Sequence, residues 1–235
     1  MRFDVLTIFP SVFPGPLAVG VVGRALERGS LELHVHDLRE HTPDRHRQVD
    51  DMQFGGGAGM VLKPEPLIHA LRALRAEVPG LRTILLSPQG RVFTQKVARE
   101  LAGESALLLV CGRYQGVDER ARDEIGEELS LGDYVLSGGE VGAMAVIEAT
   151  ARLVPGVVGS PESIEGETFS DSSGGGLEPP LYTRPADFEG RAVPAVLRGG
   201  DHAAISAWRS AQSQEQTRRR RPDLLRLRAV PGGNK

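Results

Sequence analysis

Apolar positions along the first 155 residues follow two alternating rhythms. Short runs at 3–9 (FDVLTIF), 31–38, 83–87 and 106–110 are rich in branched and aromatic side chains and bounded by Gly or Pro, which predicts strands. Between them, 19–28, 65–77 and 94–102 carry helical spacing, and in the second Leu67, Ala70, Leu71 and Leu74 make one apolar face. A further helix is expected over 139–153, stopped by Pro155. Alternation of this kind implies an α/β layer built on a mainly parallel sheet.

After residue 157 the rhythm breaks. VPGVVGSPESIEGETFSDSSGGGLEPP is rich in Gly, Ser, Pro and acid with little periodicity, and reads as a flexible linker over 158–178. Beyond it Asp201 can cap a helix in which Ala204, Ile205, Trp208 and Ala211 share a face, and PDLL at 222–225 can open another with Pro in its first turn. The expected organisation is a main α/β domain over 1–157 and a small, mainly helical domain over 179–235.

Glycine marks the candidate site. SLGDYVLSGGE (130–140), FGGGAGM (54–60) and CGRYQG (111–116) fit neither GxGxxG nor GxxxxGK[ST], so none of them reads as a common phosphate cradle. Bare backbone suits positive φ or close approach of another group, and three such loops suggest one shared pocket. The strands at 83–87 and 106–110 run into LSPQG and CGRYQG, and ligands of open α/β sheets bind beyond the carboxyl ends of the strands.

Composition narrows the picture modestly. With 40% hydrophobic residues, 235 residues suffice for a packed core, and no apolar run approaches bilayer length. The single cysteine excludes an internal disulfide, and the opening MRFDVLTIFPSVF shows neither a long apolar run nor a cleavage signature, so a reducing cytoplasm is expected. A net charge of -3 gives no global pull toward polyanions. Local basic clusters remain at 45–47 (Arg, His, Arg) and at 218–221 (four Arg), each of which also fits plain solvated surface.

Read together, VDDMQFGGGAGMV, LLSPQGRVFTQ, CGRYQGVDER, SLGDYVLSGGE, ARLVPGVVG, YTRP and RRPDLL occur in one order across nearly the whole chain. The set resembles the bacterial tRNA (guanine-N1)-methyltransferases, which use S-adenosylmethionine to modify guanosine 37 of tRNA, beside the anticodon. The resemblance implies a SPOUT fold with the cofactor held in a trefoil knot over about residues 83–140. It also implies a tRNA-binding C-terminal domain, and a homodimer in which the linker and C-terminal domain of one subunit close over the cofactor of the other. Carried over position by position, the family's cofactor contacts fall on Leu86, Ser87 and Pro88, on Gly112, Tyr114 and Gln115, on Ser130, Leu131, Gly132, Asp133, Tyr134, Val135 and Leu136, and on Gly138 and Gly139. Leu86, Val135 and Leu136 also suit plain core packing, and Cys111 reads as a small buried residue without chemistry.

The implied reaction sets its own demands. Guanine N1 carries a proton at neutral pH, so it becomes a nucleophile only as that proton leaves and charge spreads onto O6. A carboxylate would take the proton and a guanidinium near O6 would stabilise the charge. Family resemblance assigns the second role to Arg152 of ARLVPGVVG and the first to Asp171 of SDSSGG, where Ser172-Ser173 replaces the usual Ser-Phe; Glu167 is the alternative base. Metal catalysis is not required by this scheme. Mg²⁺ is nonetheless a cofactor the family suggests, and here Gln115 stands where the family usually has Glu, keeping hydrogen-bonding capacity without the charge. Asp50 and Asp51 offer further acid near the guanosine, or simply shape the loop before FGGGAGM. A SPOUT methyltransferase acting elsewhere on RNA and a non-catalytic RNA-binding relative are the competing readings; YTRP and RRPDLL tell against the first, and intact SLGDYVLSGGE and Arg152 against the second.

Overall fold

The computed structural model describes residues 1–160, 162–170 and 173–228. The chain divides into two compact units, Met1–Gly159 and Ser160–Lys235.

The first unit is built on five parallel strands in the order β2-β1-β6-β5-β7: β1 (Arg2–Thr7), β2 (Glu32–Asp37), β5 (Arg82–Val92), β6 (Ala106–Cys111) and β7 (Glu128–Ser130). β6 is buried along its whole length. Its alternate side chains serve two cores, Leu107, Leu109 and Cys111 on one face and Ala106, Leu108 and Val110 on the other. This explains why the strand reads as an unbroken apolar run rather than an alternation. On the first face lie helices α1 (Pro14–Leu17), α2 (Gly20–Glu27), α4 (Gln95–Ala102) and α6 (Glu140–Ala151); on the second lie α3 (Pro64–Glu77) and α5 (Glu119–Ile125). The expected face of α3 is the buried one, carrying Leu67, Ala70, Leu71 and Leu74.

Three features differ from the sequence-based expectation. A hairpin, β3 (Asp50–Met52) with β4 (Met60–Leu62), brackets FGGGAGM, although its strands are too short to carry a visible period. Helix α5 and strand β7 lie in a charged stretch that offers no apolar rhythm. β5 does not stop at Ser87 but runs on to Val92. It pairs with β7 at Leu85 and Leu86 and again at Arg91 and Val92, so Ser87–Gly90 is an excursion inside the strand rather than a loop after it. Ser87 Oγ accepts the Gln89 N–H at 3.1 Å within the excursion. A Cβ on Gly90 would lie 2.4 Å from the Glu128 carbonyl carbon, which makes glycine obligatory where the strand rejoins.

The second unit contains α7 (Glu162–Glu165), a small hairpin of β8 (Asp187–Phe188) and β9 (Arg191–Ala192), and helices α8 (His202–Arg220) and α9 (Pro222–Arg228). Asp201 caps α8 as expected, its Oδ1 accepting the Ala203 and Ala204 N–H groups at 3.0 and 3.1 Å. The stretch expected as a linker includes a turn in which Phe169 N–H donates to Gly176 O (2.8 Å) and Gly175 N–H to Ser170 O (2.7 Å). Thr217 and Ser213 of α8 hold the chain at Leu177, the first accepting its N–H at 2.9 Å and the second donating to its carbonyl at 2.5 Å. Among the described residues no helix is long and apolar enough to cross a membrane.

Candidate active site

The carboxyl ends of β5, β6 and β7 open onto a cavity of about 200 Å³. Three chain segments wall it: the β5 excursion, the loop after β6, and the loop from β7 into α6. Of the expected cofactor contacts, Leu86, Ser87, Pro88, Gly112, Tyr114, Gln115, Ser130, Leu131, Tyr134, Val135, Leu136, Gly138 and Gly139 all line it. Gly132 and Asp133 do not. They form the turn itself: Gly132 has φ 145°, its carbonyl accepts the Tyr134 N–H at 2.9 Å, and Asp133 is exposed.

Close backbone approach accounts for the glycines. Gly139 N–H donates to Gly112 O at 2.9 Å, and a Cβ on Gly139 would sit 2.8 Å from Cys111 Cα. Opposite this bare wall, Val135 is 84% exposed and Leu136 and Tyr134 are also exposed, so core packing is not their role. FGGGAGM does not line the cavity but abuts its rim: Gln115 N–H donates to Met60 O at 2.9 Å, and the Gln115 side chain covers Gly59. Tyr114 holds φ 60°, a conformation uncommon for a non-glycine residue, and burial together with the neighbouring Asp50 carboxylate raises its phenol pKa. Asp51 shapes its own strand by accepting the Met52 N–H at 2.8 Å. Burial pushes the Cys111 thiol well up, so it is not a nucleophile at neutral pH.

Gln89, Arg113, Arg122 and Ser137 also line the cavity, although the expected contact set leaves them out. Each is an ordinary surface residue type; Gln89, Arg113 and Ser137 come in on the walling segments and Arg122 on helix α5. Arg152 is not in the cavity. It follows the last residue of α6, whose first turn borders the cavity, and twelve helical residues separate the two by about 18 Å. Glu167 belongs to the second unit, and Asp171 lies outside the described residues. The basic clusters are exposed; Arg218 pairs with Glu215 at 2.8 Å and Arg221 with Asp223 at 2.7 Å.

A parallel α/β sheet with a cavity at its carboxyl edge is an architecture suited to a small molecule or cofactor. The chain belongs to the family described as tRNA (Guanine-1)-methyltransferase TrmD, whose profile matches residues 1–227. It is 56% identical to the tRNA (guanine-N(1)-)-methyltransferase of Chloroflexus aurantiacus, over 99% of this chain and 91% of the relative. Proteins of the same name from Geobacter metallireducens and Micrococcus luteus are each 52% identical, over 96% and 95% of this chain and 91% and 97% of their own lengths.

Proposed function

We propose that this protein transfers a methyl group from S-adenosylmethionine to N1 of guanosine 37 in tRNA. The observation that carries this reading is that three of the motif segments, LLSPQGRVFTQ, CGRYQGVDER and SLGDYVLSGGE, wall one cavity at the sheet's carboxyl edge. The walls suit the cofactor. Gly112, Gly138 and Gly139 let the wall segments pack closely on one another, and the exposed Val135 and Leu136 offer the cofactor an apolar face. When bound, S-adenosylmethionine supplies an electrophilic methyl group on a sulfonium.

The chain's own residues supply the rest. Asp171 takes the N1 proton of guanine as general base, and Arg152 stabilises the negative charge that spreads onto O6. The glycine loops hold the reacting groups in line, a positioning effect that needs no covalent enzyme intermediate. For Mg²⁺ the residues fit poorly: Gln115 is an uncharged amide, and no group of three or more His, Cys, Asp or Glu converges among the described residues. No step is assigned to a metal.

The knot of the SPOUT fold belongs to the same proposal. It draws support from the crossings at Gly139 over Cys111 and Gly112, and at Gly90 over Glu128, where backbones approach within side-chain distance. A homodimer belongs to the same proposal: the length of α6 sets Arg152 apart from the cavity of its own chain, which supports its serving the cavity of a second copy. Exposed Val12, Val19 and Val141, on α6 or beside the helix α1 that packs against it, give such a copy an apolar surface to cover. The C-terminal unit, with exposed arginines at 218–221, contacts tRNA phosphates, and the reaction takes place in the cytoplasm.

Incubation with methyl-labelled S-adenosylmethionine and tRNA transcripts that differ only at position 37 tests the assignment. Label should appear on guanine N1 and vanish when guanosine 37 is replaced. Label on a ribose, or on another base, would refute it.

A further inference from the structure

Glu140 is an anomaly. It is 2% exposed, at the start of α6. A buried carboxylate is costly unless both oxygens find partners. Here they do. Oε1 accepts from Thr7 Oγ1 at 2.7 Å, and Oε2 lies 2.9 Å from Arg113 Nε and 2.8 Å from Arg113 Nη2. Thr7 is the last residue of β1, Arg113 follows β6, and Glu140 opens α6, so one carboxylate ties three elements together at the sheet's carboxyl edge.

The remaining contacts point toward the cavity. Arg113 Nη1 donates to Ser137 O at 3.2 Å, and Arg113 bridges backbone to backbone with Gly138. The guanidinium passes so close to Gly138 that a Cβ there would overlap it. Its far face lies 4.6 Å from the Phe9 ring centroid, and Phe9 N–H donates to Thr7 Oγ1 at 2.9 Å. The carboxylate therefore fixes the guanidinium, and the guanidinium fixes the backbone of 137–138. That segment follows directly on Val135 and Leu136, the exposed apolar wall of the cavity.

We infer that Thr7, Glu140 and Arg113 form a positioning clamp that presets the 134–139 loop for the cofactor, so that binding need not order it. The inference rests on the reading that this cavity holds S-adenosylmethionine. Glu140 and Thr7 touch no cavity surface themselves: neither is among the lining residues. They act through Arg113. A loop without the clamp would have to be ordered at the moment of binding, which weakens affinity without removing any cofactor contact.

The test is calorimetric titration of S-adenosylmethionine into the parent chain, three single variants and one double variant, each checked for folding by thermal unfolding. Thr7→Val keeps shape and removes the hydroxyl; Glu140→Gln keeps shape and removes the charge; Thr7→Ser keeps the hydroxyl. Thr7→Val and Glu140→Gln should each weaken binding by about tenfold or more, the scale of a hydrogen bond to a charged group, while Thr7→Ser stays within about threefold of the parent. The double variant Thr7→Val/Glu140→Gln should be no weaker than the worse single one, since both act through the same guanidinium. Folded variants with parent affinity, or additive losses, would overturn the clamp. If Thr7→Val fails to fold, Glu140→Gln with Thr7→Ser decides the question alone. A parent protein that does not bind S-adenosylmethionine would overturn the cavity assignment, and the clamp with it.

Discussion

At the scale of single residues the site divides into backbone that must stay bare and side chains that must carry charge. Gly139 belongs to the first kind. Valine there would drive its Cβ into Cys111 and Gly112, so Gly139→Val should lose measurable cofactor binding; a folded variant with unchanged affinity in calorimetry would show that the wall is not closed. Asp171, the proposed base, is assigned to the second. Asp171→Asn should bind S-adenosylmethionine as the parent does but slow single-turnover methyl transfer by roughly 10²–10⁴, the share of a general base. Parent-like turnover in Asp171→Asn together with slow Glu167→Gln would move the base to Glu167. The glycines of SLGDYVLSGGE are legible in sequence because so much bare backbone around Tyr134, Val135 and Leu136 has no ordinary structural use. Arg113 is not legible, since an arginine in CGRYQG reads as surface until Glu140, 27 residues on, is folded against it.

At the scale of elements, period and flanking residues expose the central strands and the long helices, because burial imposes a rhythm. They miss the second half of β5, whose Arg91 and Val92 are exposed and whose pairing depends on β7 rather than on apolar pattern. That half of the strand is held by charge. Arg91 pairs with Glu100 and Glu127, and Arg82 pairs with Glu100, Glu104 and Glu127, across β5, α4 and the start of β7. Hydrogen bonds from Arg91, then Arg82, hold the Glu100 carboxyl down to about 2. Its folded pKa lies below the unfolded value of about 4.3, so its contribution is complete above that pH and is lost as pH falls toward 2. The melting temperature of the parent should therefore fall across this acid window, and Glu100→Gln should show a shallower fall and a lower plateau near neutrality. Because Glu100 is 43% exposed, the difference should shrink at high salt. An identical pH profile for the two proteins would show that the network holds nothing.

At the scale of the whole molecule, α6 separates two groups that the proposed reaction needs together. The cavity is at its amino end and Arg152 at its carboxyl end. Sequence alone cannot reveal this, because motif order says nothing about which copy a residue serves. A rigid helix cannot shorten, so the proposed role of Arg152 at O6 is assigned to the cavity of a second copy. Mixed dimers test this directly. Arg152→Ala removes the cation from one partner, and Gly139→Val closes the cavity of the other, so each homodimer should be nearly inactive. In a random mixture about half the dimers are hybrids, and each hybrid has one intact cavity facing one intact Arg152. Activity should therefore return to about a quarter of the parent value, with the recovered product still carrying its methyl on guanine N1. If Arg152 served its own cavity instead, no hybrid would contain a complete site, and mixing would restore nothing.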